Sequence, residues 1–130
     1  MILKVVSPNP DSDSRLAYSQ GIVASGETRT LYIAGQIGAD ASGAVSPDFA
    51  AQVRQAWNNL LAVLATAGMT VTDLAQVTVY MTDKSDFAAY AAVRGEFFGA
   101  HKPASTAVVV SALARPEWKF EVEAVAVAAR

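Results

Sequence analysis

The sequence predicts an α+β fold of two layers, a mixed β-sheet with two helices on one face, formed by a single domain over residues 1–130. Three observations predict it. Apolar residues recur every three and four positions in two stretches of the chain, they alternate with polar residues in the segments around those stretches, and no linker, repeat or low-complexity tract divides the sequence.

After the turn-rich SPNPDSDS, the segments AYSQGIVAS and TLYIAGQIGA read as strands joined by a hairpin turn at Gly26 to Thr28. DASGAVSPD is a loop in which Ser46, Pro47 and Asp48 signal a helix start. That helix runs from about Phe49 to Ala67: Phe49, Val53, Trp57, Leu60, Leu61 and Leu64 form one apolar stripe, and Gly68 stops it. In DLAQVTVYMTD, Val77, Val79 and Met81 share one face while Thr78, Tyr80 and Thr82 share the other, the period of a strand. A second helix, about Ser85 to Gly99, carries Phe87, Tyr90, Val93 or Arg94, Phe97 and Phe98 at helical spacing. STAVVVSAL and WKFEVEAVAVA supply two more strands, separated by the ARPE turn.

The order is therefore two strands, helix, strand, helix, two strands, and the sheet face without helices needs a partner. Composition speaks to that partner. Hydrophobic residues make up 52% of the chain, charged residues 17%, and mean hydropathy is +0.27. Much of this is alanine, which suits a well-packed helical surface; it also suits apolar surface buried between subunits, where the simplest partner is another copy of the chain.

Several classes of function are excluded. Without cysteine there is no disulfide, thiol nucleophile or thiolate metal site, and the single histidine, His101, rules out two-histidine or multi-histidine chemistry within one chain. His101 itself reads as a solvated residue complementing the end of the second helix. No apolar run reaches the roughly 18 residues of a membrane span, and the opening MILKVVSPNPDSDS is too short in its apolar part for a signal peptide, so a cytoplasmic location is expected. Net charge is −2, and the ten Lys and Arg residues are scattered, which argues against nucleic acid as a partner. GQIGADASG matches neither nucleotide-binding fingerprint and reads as a strand end with a tight turn; Trp57 and Trp118 read as core or interface residues.

The last strand poses the question of function. Glu121 and Glu123 project to one face and Phe120, Val122 and Ala124 to the other. Burying an ionised carboxylate is costly unless it is paired or keeps access to water, so either this face is wet or a site lies there. Tyr18, Gly35, Tyr90, Ser105 and Thr106 are the other residues with chemical potential, and each also has a purely structural reading: a packed tyrosine, a glycine for close backbone approach, a hydroxyl filling space.

Together, AYSQG, LYIAGQIG, LLAVLATAGMTVTDLAQVTVYMTD, DFAAYAAVRGEFF, KPASTAVVV and FEVEAVAV resemble the YjgF/RidA family, the reactive-intermediate deaminases also labelled endoribonuclease L-PSP, in order and spacing from about Tyr18 to Val127. The resemblance implies a chorismate-mutase-like fold and a homotrimer with clefts at the subunit interfaces. In the deaminating members a small imine or enamine acid such as 2-aminoacrylate is hydrolysed to a 2-keto acid and ammonia, without cofactor or metal. The first glutamate of the family's E-x-E-A strand, which positions the water, corresponds to Glu121; the tyrosine before S-Q corresponds to Tyr18, and the glycine of G-Q-I to Gly35. Tyr90, Ser105 and Ala107 are read as lining the same cleft, and Glu123 as structural or ion-paired.

The chain departs from the family pattern at the substrate clamp. The family's arginine in P-A-R-S is Ser105 here, the cysteine common two positions later is Ala107, and Leu16 and Ala17 stand where G-P precedes the tyrosine. An arginine grips a carboxylate through a charged, two-pronged pair that serine cannot reproduce. At about 1.5 to 3 kcal/mol per charged hydrogen bond, its loss costs on the order of tenfold to a hundredfold in affinity. Three outcomes follow: another cation, for which Arg15 is the candidate, replaces the clamp; the substrate is a different imine or enamine; or the cleft is a non-catalytic binding or protein-stabilising module. Ribonuclease activity, the family's other label, fits poorly with an acidic chain holding one histidine.

Overall fold

The computed structural model describes residues 2–130, in the order β1 (Leu3–Val6), α1 (Pro10–Asp13), β2 (Gly21–Ala24), β3 (Thr28–Ile37), α2 (Phe49–Thr66), β4 (Leu74–Met81), α3 (Phe87–Phe98), β5 (Ala104–Val109) and β6 (Phe120–Ala129). Alternation along β4 and β6 turns Val77, Val79, Met81, Phe120, Val122, Ala124 and Ala126 to one side, and all are buried. On that side they meet the stripe of α2, Val53, Trp57, Leu60 and Leu64, and Tyr90, Val93 and Phe98 of α3, in one core. The two-layer α+β reading holds, with both helices on one face.

The main sheet runs β3-β6-β4-β5. β6 is antiparallel to both neighbours, whereas β5 is parallel to β4 and reaches it by a crossover through α3. Polar contacts fasten α2 to its surroundings. Asp48 Oδ2 accepts from the Ala51 N–H at 3.0 Å and caps the first turn. The fully buried Gln52 amide donates to the carbonyls of Ser46 (2.8 Å) and Glu117 (2.9 Å) and accepts from the Lys119 N–H (2.9 Å). Gly38 lets the strand end approach the helix this closely, since a Cβ there would stand 2.6 Å from Gln52 Cα. At the other end, the Arg29 guanidinium donates to the carbonyls of Ala67, Gly68 and Ala129, tying the last turn of α2 to β6.

Three expectations are corrected. The hairpin at Gly26 to Thr28 does not form: β2 pairs with β1 in a separate two-stranded sheet, Leu3 opposite Ala24 through Val6 opposite Gly21, and β3 pairs with β6. Both β3 and β6 are ten residues long, so they complete a long ladder that the four-residue β2 cannot offer. The opening LKVV, read only as too short for a signal peptide, is that extra strand. Finally, His101 is half-buried, and its Nε2 lies 2.8 Å from the Leu74 carbonyl at the start of β4, so the ring locks the end of the helical crossover to the sheet instead of facing solvent. Among the described residues no helix is long and apolar enough to cross a membrane.

Candidate functional site

The sheet face away from the helices carries the carboxylates. Glu121 pairs with Tyr80 and Glu123 with Thr78 on β4, and Val125 pairs with Tyr32 on β3, so these side chains share that open face. Tyr80 donates its hydroxyl to Glu123 Oε1 at 3.0 Å. This bond, with partial burial and the charges of Glu123 and Glu121, holds the Tyr80 phenol above its ordinary pKa. Tyr32, Ala34, Gln76, Thr78, Glu123 and Val125 line a shallow hollow of about 390 Å3 here.

Glu121 sits at the end of this surface, where the β3–β6 register shifts between Ile33 and Gln36. The irregularity carries Ala34 and Gly35, and it brings Gly35 directly against the Glu121 carboxylate: a Cβ at residue 35 would overlap Oε2 and stand 2.8 Å from Cδ. A half-buried carboxylate against bare backbone can hold a small polar molecule, water included, between its oxygens and the strand.

The other expected residues gather at the far edge of the sheet. Ser105 and Ala107 of β5 pair with Val77 and Val79, which places them on the helix side, the face opposite to Glu121. Ser105 donates its hydroxyl to the Pro103 carbonyl at 3.1 Å. Alongside, the buried Ser19 extends the edge by a bridge to Ala104; its N–H donates to Pro103 O at 3.1 Å and its hydroxyl to Lys102 O. Tyr18 is thereby held at a groove of about 520 Å3 whose walls include Leu3, Val5, Ile22, His101 and Lys102.

The fold thus joins Gly35 to Glu121, and Tyr18 to the strand of Ser105, but within one chain it does not join the two groups. Tyr90 belongs to neither. It is 2% exposed, its ring 5.6 Å from that of Phe120 in the core and covered by Arg94 at 5.7 Å. Burial, opposed by Arg94, pushes its phenol upward. Arg15 is exposed between α1 and β2 and does not line the groove beside Tyr18. Lys102, three residues before Ser105 in HKPAS, does line it. Among the described residues no group of three or more His, Cys, Asp or Glu side chains is arranged to hold a metal ion.

Known proteins share this architecture. The family model described as Endoribonuclease L-PSP matches residues 10–128. A RutC family protein of Pyrococcus horikoshii is 42% identical over 111 residues, 84% of this chain and 85% of that protein. The 2-iminobutanoate/2-iminopropanoate deaminase of Rattus norvegicus is 35% identical over 129 residues, covering 98% of this chain and 91% of the rat protein. Among solved structures, the Rid family protein YyfB from Yersinia pestis superposes with a TM-score of 0.84 at 32% identity, over 97% of this chain and 98% of that one.

Proposed function

The chain belongs to the YjgF/RidA proteins, the endoribonuclease L-PSP family, and on that premise we propose that it hydrolyses a small imine or enamine metabolite to a carbonyl product and ammonia, with Glu121 directing the water. The observation that carries this reading is the Glu121 carboxylate held against Gly35, where no side chain intervenes. Water adds to the imine carbon as Glu121 takes its proton, the C=N electron pair moves to nitrogen, and nitrogen gains a proton. Collapse of the carbinolamine then breaks the C–N bond, releasing ammonia and leaving C=O. An enamine first takes a proton at carbon to become the imine.

The substrate differs from 2-aminoacrylate in how its acid end is held. Ser105 stands at the clamp position, and its hydroxyl is engaged with Pro103. A site containing both Glu121 and Ser105 requires two copies of the chain, because the two residues lie on opposite sheet faces. A homotrimer with a cleft at each subunit boundary supplies this, and the open face has apolar surface to bury, with Tyr32 79% exposed and Val108 exposed at the sheet edge.

The test is ammonia release from a panel of imines generated in situ from amino acids, with sedimentation run in parallel. The wild-type protein accelerates release from at least one imine and sediments as a trimer; Glu121→Gln stays trimeric and loses at least about a hundredfold in rate. Uncatalysed rates for both proteins across the panel reject the hydrolase, and a monomer rejects the shared cleft. The missing clamp favours one rival, a cleft that binds without turnover, which would produce thermal shifts with keto acids and no ammonia.

A further inference from the structure

On the hydrolase reading above, we propose that Tyr80 is a positioning residue for Glu121: its ring closes one side of that carboxylate, so that the acid turns to Gly35 and meets the reacting water there.

β6 lies between β3 and β4, so a side chain on its open face has two flanks. On the β3 flank of Glu121 stands Gly35, whose missing Cβ is the space the carboxylate fills. On the β4 flank stands Tyr80, the residue directly opposite Glu121 in the ladder. Side chains opposed in this way have Cβ atoms about 5 Å apart, close enough for a phenol ring to fill the room between them. One flank is empty and the other bulky, and a flexible glutamate takes the rotamer that points to the empty one.

The ring is itself fixed. Tyr80 donates its hydroxyl to Glu123 Oε1 at 3.0 Å, and Glu123 is opposite Thr78, so the phenol leans diagonally along the face from Glu121 toward Glu123. This tether keeps the ring over the sheet and engages the second carboxylate, which leaves Glu121 as the acid that faces Gly35. Tyr80 and Glu121 are half-buried and Glu123 is exposed, so the tethered acid is the one that bulk water solvates best. The charge of Glu121 is among the causes that raise the Tyr80 phenol, which agrees with the two groups lying within electrostatic reach of one another.

Two variants divide the ring from the tether: Tyr80→Phe keeps the ring alone, and Tyr80→Ala loses both. With the imine that the wild-type protein hydrolyses fastest, kcat should fall less than about fivefold in Tyr80→Phe and at least about tenfold in Tyr80→Ala, with KM within about threefold in each. A double-mutant cycle with Gly35→Ala separates positioning from general damage. Residues 35 and 80 stand on strands either side of β6, roughly 10 Å apart, so unrelated losses multiply to about a hundredfold. Two ways of misdirecting one carboxylate instead leave the double variant within about threefold of the worse single one. Carbon couplings in labelled protein read the Glu121 side chain without turnover: one χ1 rotamer in wild type and Tyr80→Phe, averaging in Tyr80→Ala. Should Tyr80→Ala unfold, Tyr80→Val, a strand former without a ring, takes its place. Unchanged kcat in the ringless variant, multiplied losses in the cycle, or an unmoved Glu121 rotamer overturns the proposal. If the wild-type protein hydrolyses no imine, the hydrolase reading falls and the rotamer alone decides whether Tyr80 positions Glu121; if it does and the rotamer stays, only the role of Tyr80 falls.

Discussion

Gly35 leaves the space that the Glu121 carboxylate occupies: a side chain at residue 35 would overlap Oε2 and come within 2.8 Å of Cδ. The obstructed atoms are the far end of a flexible side chain, so the fold can yield where the chemistry cannot. Gly35→Ala is therefore expected to cost about 1 kcal/mol or less in stability, the price of an off-rotamer glutamate, while imine hydrolysis falls at least about tenfold. Turnover and urea unfolding on the same preparation check this; unchanged turnover would show that the carboxylate's position is irrelevant to the reaction.

Gln52 is the polar counterpart of the apolar core. Its buried amide serves Ser46, Glu117 and Lys119 at once, so Gln52→Leu strands two carbonyls and an N–H beside α2. A loss of about 2 to 4 kcal/mol is expected, with an unchanged denaturant slope. Gln52→Glu sets carboxylate oxygens against two carbonyls, which raises its folded-state pKa. Its deficit is therefore smaller at acid pH and widens as pH rises above the ordinary glutamate value.

Arg29 holds the C-terminal end of α2 through the carbonyls of Ala67 and Gly68 while also reaching Ala129. It is exposed, so water recovers part of what is lost. Arg29→Met should lower stability by about 1 kcal/mol, and Arg29→Lys should recover less than half of that, since a single ammonium cannot span both elements. Thermal unfolding of the three proteins separates these outcomes.

The Tyr80 phenol is raised first by its hydrogen bond to Glu123, then by burial and by the charges of Glu123 and Glu121. The neutral phenol is the form the fold favours, so this contribution is fully present below the ordinary tyrosine pKa and is lost as pH climbs through the raised folded-state value. Ultraviolet titration should find two tyrosines, Tyr80 and the buried Tyr90, ionising later than the ordinary value near 10, and Glu123→Gln should move only the first back down. A titration insensitive to Glu123→Gln would refute the pairing.

Local pattern revealed most of the elements and the carboxylates of the open sheet face. The stripe from Phe49 to Leu64 and the alternation at Val77 to Met81 carry their own period, so α2 and β4 lie where the sequence indicates. Glu121 was legible because a carboxylate in an apolar strand breaks that pattern. The β1–β2 pair was not, because a four-residue strand has too few residues to show a period, and Gly26 signals a turn without saying which strands it joins. Tyr90 illustrates the opposite error: a hydroxyl suggested a site, but its position on the inward face of α3 sends it into the core.

By itself the sequence determined the two-layer α+β architecture, its family and the acidic residue at issue, because periodicity and motif spacing are written within a few residues of one another. Only the tertiary structure decided that β3 pairs with β6, that Gly35 meets Glu121, and that Ser105 faces away from both. Those facts depend on register between strands far apart in the chain, and a shift of one residue would send every side chain to the opposite face.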